Sequence, residues 1–103
     1  MWLCLNKSFI SIVQNRDDPS ILLVRARVAG HIERVFPEAK VFTDPKADYL
    51  YRANIKRQIV AKTVAASIQK INYDNFKDSV EDDELHLAYM KVWGVMEKLQ
   101  HQV

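Results

Sequence analysis

Cysteine, glycine and proline are all scarce in this chain, and each scarcity excludes something. Cys4 is the only cysteine among 103 residues, so no intrachain disulfide and no cysteine-rich metal site can form. A single thiol also suits a reducing compartment. Gly30 and Gly94 are the only glycines, and they cannot build a glycine-rich phosphate loop. P-loop and dinucleotide-binding chemistry are therefore excluded. Three prolines leave little room for stiff linkers or low-complexity arms. No apolar run approaches the roughly 20 residues of a membrane-spanning helix. The segment Met1-Trp2-Leu3-Cys4-Leu5 is apolar, but Asn6, Lys7 and Ser8 interrupt it early and no basic region precedes it. It does not read as a signal peptide, and a cytoplasmic protein without membrane contact is expected. Charge of one sign is lacking too. A formal charge of +2 gives no bulk attraction for nucleic acid, so only the placement of charges could create one.

What is present is the composition of one globular domain covering residues 1–103. Hydrophobic residues make up 49% of the chain and charged ones 27%, enough apolar surface to fold without staples. Residues 2–5 and 9–14 are short runs rich in Ile, Val, Phe and Trp, divided by a turn-prone Asn6-Lys7-Ser8. They predict a hairpin. Asn15-Arg16-Asp17-Asp18-Pro19-Ser20 is a strong turn. In residues 21–27, Leu22, Val24 and Ala26 alternate with Leu23, Arg25 and Arg27, the period of a half-buried strand. Gly30 opens a short helix that Pro37 ends, and Val41 with Phe42 suggests a strand fragment. Residues 49–55 predict another strand, with Tyr49, Tyr51, Ala53 and Ile55 on one face and Leu50, Arg52 and Asn54 on the other.

From Arg57 the period changes to that of a helix, with Val60, Val64, Ile68 and Ile71 in one stripe. Asp74 is placed to cap a short helix through Val80. The last helix carries a broad stripe of Leu85, Ala88, Tyr89, Val92, Trp93, Met96 and Leu99, and Glu81 to Glu84 complement the macrodipole at its start. Strands first and helices last predict an α+β fold: a small antiparallel sheet of three to four strands with two or three helices packed on one face. Most of the large rings, Trp2, Phe9, Phe36, Tyr73, Phe76, Tyr89 and Trp93, are expected in the core, where they contribute most to stability. A surplus of rings would mark an interface.

Arg25, Arg27 and Arg52 are the first candidate site. Arg25 and Arg27 share a face of their strand, and Arg52 joins them if the two strands are neighbours. Guanidinium forks suit carboxylates and phosphates. The alternation puts Tyr49 and Tyr51 on the opposite face from Arg52, which argues against a platform of arginines with stacking aromatics. The structural alternative is a solvated face, or an ion-pair network with Asp48 and Asp74. Glu81, Asp82 and Asp83 are the second candidate. With Glu84 and His86 they match no metal loop, because consecutive carboxylates on a helix diverge. They read as a solvated helix start or as a negative patch for a basic partner. Cys4 reads as an inert core residue, and no nucleophile–histidine–acid arrangement is legible around His31, His86 or His101. No metal and no cofactor are expected.

Several segments occur together in order: Ser8-Phe9-Ile10-Ser11-Ile12-Val13-Gln14, Arg16-Asp17-Asp18-Pro19, Leu23-Val24-Arg25-Ala26-Arg27, Ala47-Asp48-Tyr49-Leu50-Tyr51-Arg52-Ala53, Tyr73-Asp74-Asn75-Phe76-Lys77 and Val92-Trp93. Across nearly its whole length the chain thereby resembles a family of short bacterial and phage proteins with no established activity. Members often carry proline where this chain has Leu50, which alters the strand entry there. The resemblance implies a recurring small domain. By analogy with compact phage-type proteins it implies an inhibitor or modulator that occupies a surface of a larger host complex. The expected function is a non-enzymatic protein-binding module contacting its partner through Arg25, Arg27 and Arg52 or through Glu81, Asp82 and Asp83. A nucleic-acid binder using the arginines with Lys56, Arg57 and Lys62 is the second expectation, a structural or oligomerising domain is a further alternative, and a metal-dependent hydrolase built on Glu81, Asp83 and His86 ranks lowest. The stripe on the last helix serves a homodimer or packing against the sheet equally well.

Overall fold

The computed structural model describes residues 1–102. Three strands open the chain: β1 (Trp2–Cys4), β2 (Phe9–Gln14) and β3 (Ile21–Ala26). A short helix α1 (His31–Val35) follows, then β4 (Phe42–Thr43) and β5 (Tyr51–Lys56). Two longer helices, α2 (Arg57–Gln69) and α3 (Asp83–Gln100), end the chain, separated by a 3₁₀ turn at Lys77–Ser79. The sheet is antiparallel throughout, in the order β1-β2-β3-β5-β4. The fold is α+β as the sequence predicts, but the sheet has five strands rather than three to four. The additional strand is the fragment at Phe42, which reaches the edge by pairing with Arg52.

Local chemistry sets the turns. Asn15 Oδ1 accepts from the backbone N–H groups of Asp17 and Asp18, and Asp18 Oδ1 accepts from Ser20, which closes the β2–β3 turn with Asx side chains. Gly30 takes φ 88° at the start of α1, a left-handed conformation that a side chain would oppose. Arg57 begins α2 and ties it to that turn through Pro19 O at 2.8 Å and Gln14 Oε1 at 2.7 Å.

Alternation decides which face is buried. Ile10 and Ile12 of β2, Val24 and Ala26 of β3, and Ala53 and Ile55 of β5 share one face. With Ile32, Phe36 and Val60 from the helices they form the core. Two helices, α1 and α2, thus cover one face, within the expected number. Only the first half of the predicted α2 stripe is used. Val60 is buried, whereas Ile68 and Ile71 are exposed, because the helix outruns the sheet.

Three expectations for single residues are corrected. Asp74 caps nothing; Asn75 Oδ1 accepts from Asp78 N–H and begins the 3₁₀ turn. Cys4 is exposed, not part of the core, since its register against Phe9 puts it on the face away from α1 and α2. The rings divide more evenly than expected. Phe36 and Tyr89 are buried, but Trp2 is 73% and Trp93 50% exposed.

The last helix stands apart from the core. Asp82 Oδ1 caps it by accepting from Leu85 N–H at 2.8 Å, a contact that typically stabilises a helix by about 1 kcal/mol. Tyr89 is its one buried residue. The Tyr89 hydroxyl shares its proton between the carbonyls of Leu5 and Ser8, each 2.9 Å away, so α3 docks on the end of the β1–β2 hairpin. Burial raises the Tyr89 pKa, which keeps the hydroxyl a donor. None of the helices within residues 1–102 is long and apolar enough to cross a membrane.

Candidate functional site

The face of the sheet away from α1 and α2 holds the arginines. Arg25 and Arg52 are directly opposite one another on β3 and β5. Like charges in that position repel, so their placement costs stability unless something offsets it. The offset comes from Tyr49. Its ring lies 4.5 Å from the Arg25 guanidinium and 4.1 Å from that of Arg27, a cation–π arrangement. Arg25 Nη2 also donates to Ser11 Oγ at 2.7 Å, and Arg27 Nη1 donates to Asp48 O at 2.9 Å. Arg52 Nη1 donates to Tyr49 O at 3.3 Å. The structure therefore brings all three predicted arginines together, around a ring that the alternation had assigned to the other face.

The reason is local. Tyr49 precedes β5, and Asp48 Oδ1 accepts from its N–H at 2.9 Å. The chain bends there, so the period of the strand does not extend to Tyr49. Among the described residues, no ion-pair network compensates the arginines. Asp48 lies 3.8 Å from Arg52, with 68% of its own side chain exposed, and Asp74 borders α3 instead. One exposed carboxylate beside three guanidinium groups leaves a surplus of positive charge. Arg25 Nε is buried without a partner in the described residues. The same face carries Trp2 and Phe42, both exposed, at its two edge strands.

The acidic residues behave differently. Glu81, Asp82 and Asp83 are all exposed, but only Asp82 has a structural task, the cap on α3. Glu81 and Asp82 border a polar cavity of about 540 Å³ shared with Lys7 and Arg34. Asp82 and Glu84 also border a second cavity, of about 370 Å³, between the hairpin and α3. Cys4, Phe9, Leu85 and Val92 form its apolar walls, and Arg27 and Arg34 carry the opposite charge on its rim. The two predicted patches thus meet at one cavity through Arg27 and Asp82, without forming an ion pair. Among residues 1–102, no three His, Cys, Asp or Glu side chains gather where they could hold a metal ion. Glu81, Asp83 and His86 therefore do not converge.

His31, another cavity residue, links the hairpin to α1. It is buried, and its Nδ1 accepts from Phe9 N–H at 3.1 Å. Accepting at Nδ1 requires the neutral tautomer with its proton on Nε2. Burial is the main cause that lowers its pKa below the ordinary 6.5; Arg34 adds to the lowering, and the Phe9 contact and Asp82 oppose it. The folded state therefore binds fewer protons than the unfolded state below pH 6.5. The contribution of His31 is complete above that pH and is lost as the pH falls toward the folded value. Urea midpoints measured from pH 7.5 down to pH 5.5 should fall for the native chain. They should fall less for His31→Asn, whose amide oxygen replaces Nδ1 as an acceptor that does not titrate. Equal slopes would show that His31 is not the group responsible.

No family model matches the chain, and no curated protein and no solved structure matches it either.

Proposed function

We propose that this chain is a non-enzymatic protein-binding module whose contact surface is the face of the sheet away from α1 and α2, centred on Arg25, Arg27 and Arg52. One observation carries the reading: like-charged arginines held directly opposite each other, oriented by a buried tyrosine and left with a single exposed carboxylate. A fold gains nothing from that arrangement by itself. An acidic partner would supply the missing charge, and guanidinium groups already fixed in place lose little freedom on pairing. Trp2 and Phe42 at the edges add the exposed aromatic area that protein interfaces favour. The corner at Glu81, Asp82 and Asp83 provides a second, oppositely charged contact beyond the cavity rim. A modulator of a larger host complex, acting in the cytoplasm, is the role that fits such a surface and the family resemblance together.

Nucleic acid is the second reading, favoured by the same arginines beside exposed Trp2 and Phe42. Against it, the Tyr49 ring is already covered by guanidinium groups and offers no face to a base. The experiment is affinity capture from native host extract by the tagged full chain and by Arg27→Glu, each with and without nuclease. A stoichiometric protein retained by the native chain after nuclease, and lost with Arg27→Glu, is the expected result. Capture that disappears with nuclease would replace the reading with the nucleic-acid one. A protein held equally by Arg27→Glu would remove the arginine face from it.

A further inference from the structure

We propose that the cavity between the β1–β2 hairpin and α3 binds a small neutral molecule with an apolar body and one hydrogen-bond-accepting oxygen, which takes the Nε2–H of His31. The proposal does not rest on the arginine-face reading, although Arg27 borders both surfaces. A volume of about 370 Å³ is of small-molecule size. The walls are apolar from both sides, with Phe9 on the hairpin and Leu85, Ala88, Tyr89 and Val92 on α3. The Tyr89 hydroxyl, committed to Leu5 O and Ser8 O, fixes how closely α3 approaches the hairpin there. Val28 and Val92 border the cavity and are about half exposed, which leaves it an entrance from solvent. A ligand entering it would take that apolar wall out of water.

His31 makes this cavity more than a gap in packing. The residue is only 5% exposed and lines the cavity. Its Nδ1 is occupied by the Phe9 N–H, which leaves the ring proton on Nε2. That Nε2–H has no partner among the described residues. Nor is it sealed in the interior, since Ser8 Oγ and Arg25 Nε are the side-chain atoms buried there without a partner. A donor so nearly buried is costly to leave unpaired. Water answers it poorly, because an ordered water needs about two to four polar partners and the surrounding walls are mostly carbon. An oxygen carried on an apolar body satisfies the donor and the walls together.

The rim sets the charge of the ligand. Arg27 and Arg34 stand there with Asp82 and Glu84, two positive groups and two negative ones, none paired with another among the described residues. Arg27 donates to Asp48 O and Arg34 to Lys7 O, and Asp82 caps α3. An anion would gain the guanidinium groups but meet the carboxylates, and a cation would meet the reverse. Either would also shed hydration to enter apolar walls. A neutral molecule carries neither cost. The Cys4 thiol on the wall is neutral too, since burial raises its pKa.

Nitrogen–proton correlation NMR of the full chain tests the site with three probes of similar shape. 1-Acetonaphthone carries the acceptor, 1-ethylnaphthalene lacks it, and 1-naphthoate adds a charge. Each is titrated into the native chain and into His31→Asn, whose amide oxygen keeps the bond from Phe9 N–H but which has no Nε2–H. Acetonaphthone should shift the amides of Phe9, Leu85 and Ala88 and the His31 Nε2–H resonance. It should bind the native chain roughly five-fold tighter than ethylnaphthalene, the worth of one neutral hydrogen bond, and that preference should vanish in His31→Asn. Naphthoate should bind more weakly than the ketone. Ala88→Trp, which fills the cavity from α3, should abolish the shifts while the circular dichroism stays native. No shift with either neutral probe up to its solubility limit would overturn the proposal. So would equal affinities of the two neutral probes, or a preference that survives in His31→Asn. Naphthoate as the tightest probe would make this an anion site of Arg27 and Arg34 instead. His31→Asn leaves Arg25, Arg27 and Arg52 in place and should still retain the protein captured through them, which separates failure here from failure of the arginine face.

Discussion

Replacing Tyr89 with alanine is expected to destabilise the fold by about 3–5 kcal/mol, the range for deleting a large buried ring. The effect should exceed that of any other substitution on α3, because Tyr89 is the single buried side chain of the helix. Its ring packs 5.3 Å from Phe76, between the helix and the 3₁₀ turn. Its hydroxyl serves two carbonyls at the end of the β1–β2 hairpin. Alanine removes the ring contact and leaves both acceptors unserved. Tyr89→Phe separates the two contributions. It keeps the ring and loses only the hydroxyl, at a cost of about 1–2 kcal/mol. Urea unfolding at a low, fixed protein concentration measures both. A loss under about 1 kcal/mol for the alanine variant would mean that α3 docks through other residues.

Legibility in the sequence followed the period of each element. β2 and β3 were readable because their apolar residues face a core shared with α1 and α2, so alternation and burial coincide at Ile10, Ile12, Val24 and Ala26. The arginine cluster was readable for the same reason. Arg25 and Arg27 lie out of phase with Val24 and Ala26, and Arg52 lies out of phase with Ala53. Alternation misplaces Tyr49, because the rule does not hold in the bend that precedes β5 at Tyr51. A signal was available in Asp48, whose side chain can bond the next backbone N–H and bend the chain. The strand at Phe42 is legible only as a fragment, because two residues are too short for a period to give its face or its partner.

The helices show the opposite case. An apolar stripe reports that a helix face avoids water, not what covers it. The stripes at Val60–Ile71 and Leu85–Leu99 look alike in sequence, yet each is only half covered within the chain. Helix length against sheet width decides this. Neither Ile68 nor Met96 carries a local mark of having passed the edge of the sheet.

Tyr49 is the residue through which fold and proposed function can be separated. Its hydroxyl makes no hydrogen bond among the described residues, so Tyr49→Phe should change stability by no more than about 0.5 kcal/mol and should retain partner binding. Tyr49→Ala removes a ring that is only 3% exposed and both cation–π contacts. The expected cost is about 3 kcal/mol, which most domains survive. The larger effect should be on binding. Without the ring, Arg25 and Arg27 lose the surface that holds them, and the repulsion between Arg25 and Arg52 is no longer offset. The guanidinium groups would then have to be ordered by the partner at its own expense. Binding of the partner captured in the nuclease experiment should weaken roughly 100-fold, although so buried a ring offers the partner almost nothing directly. Titration of purified partner with the native chain, Tyr49→Phe and Tyr49→Ala checks this, with unfolding curves in parallel. A folded Tyr49→Ala that binds like the native chain would show that the arginines are not the contact. Loss of binding in both variants would assign the hydroxyl a direct role in recognition, and the ring would no longer be only a support for the arginines.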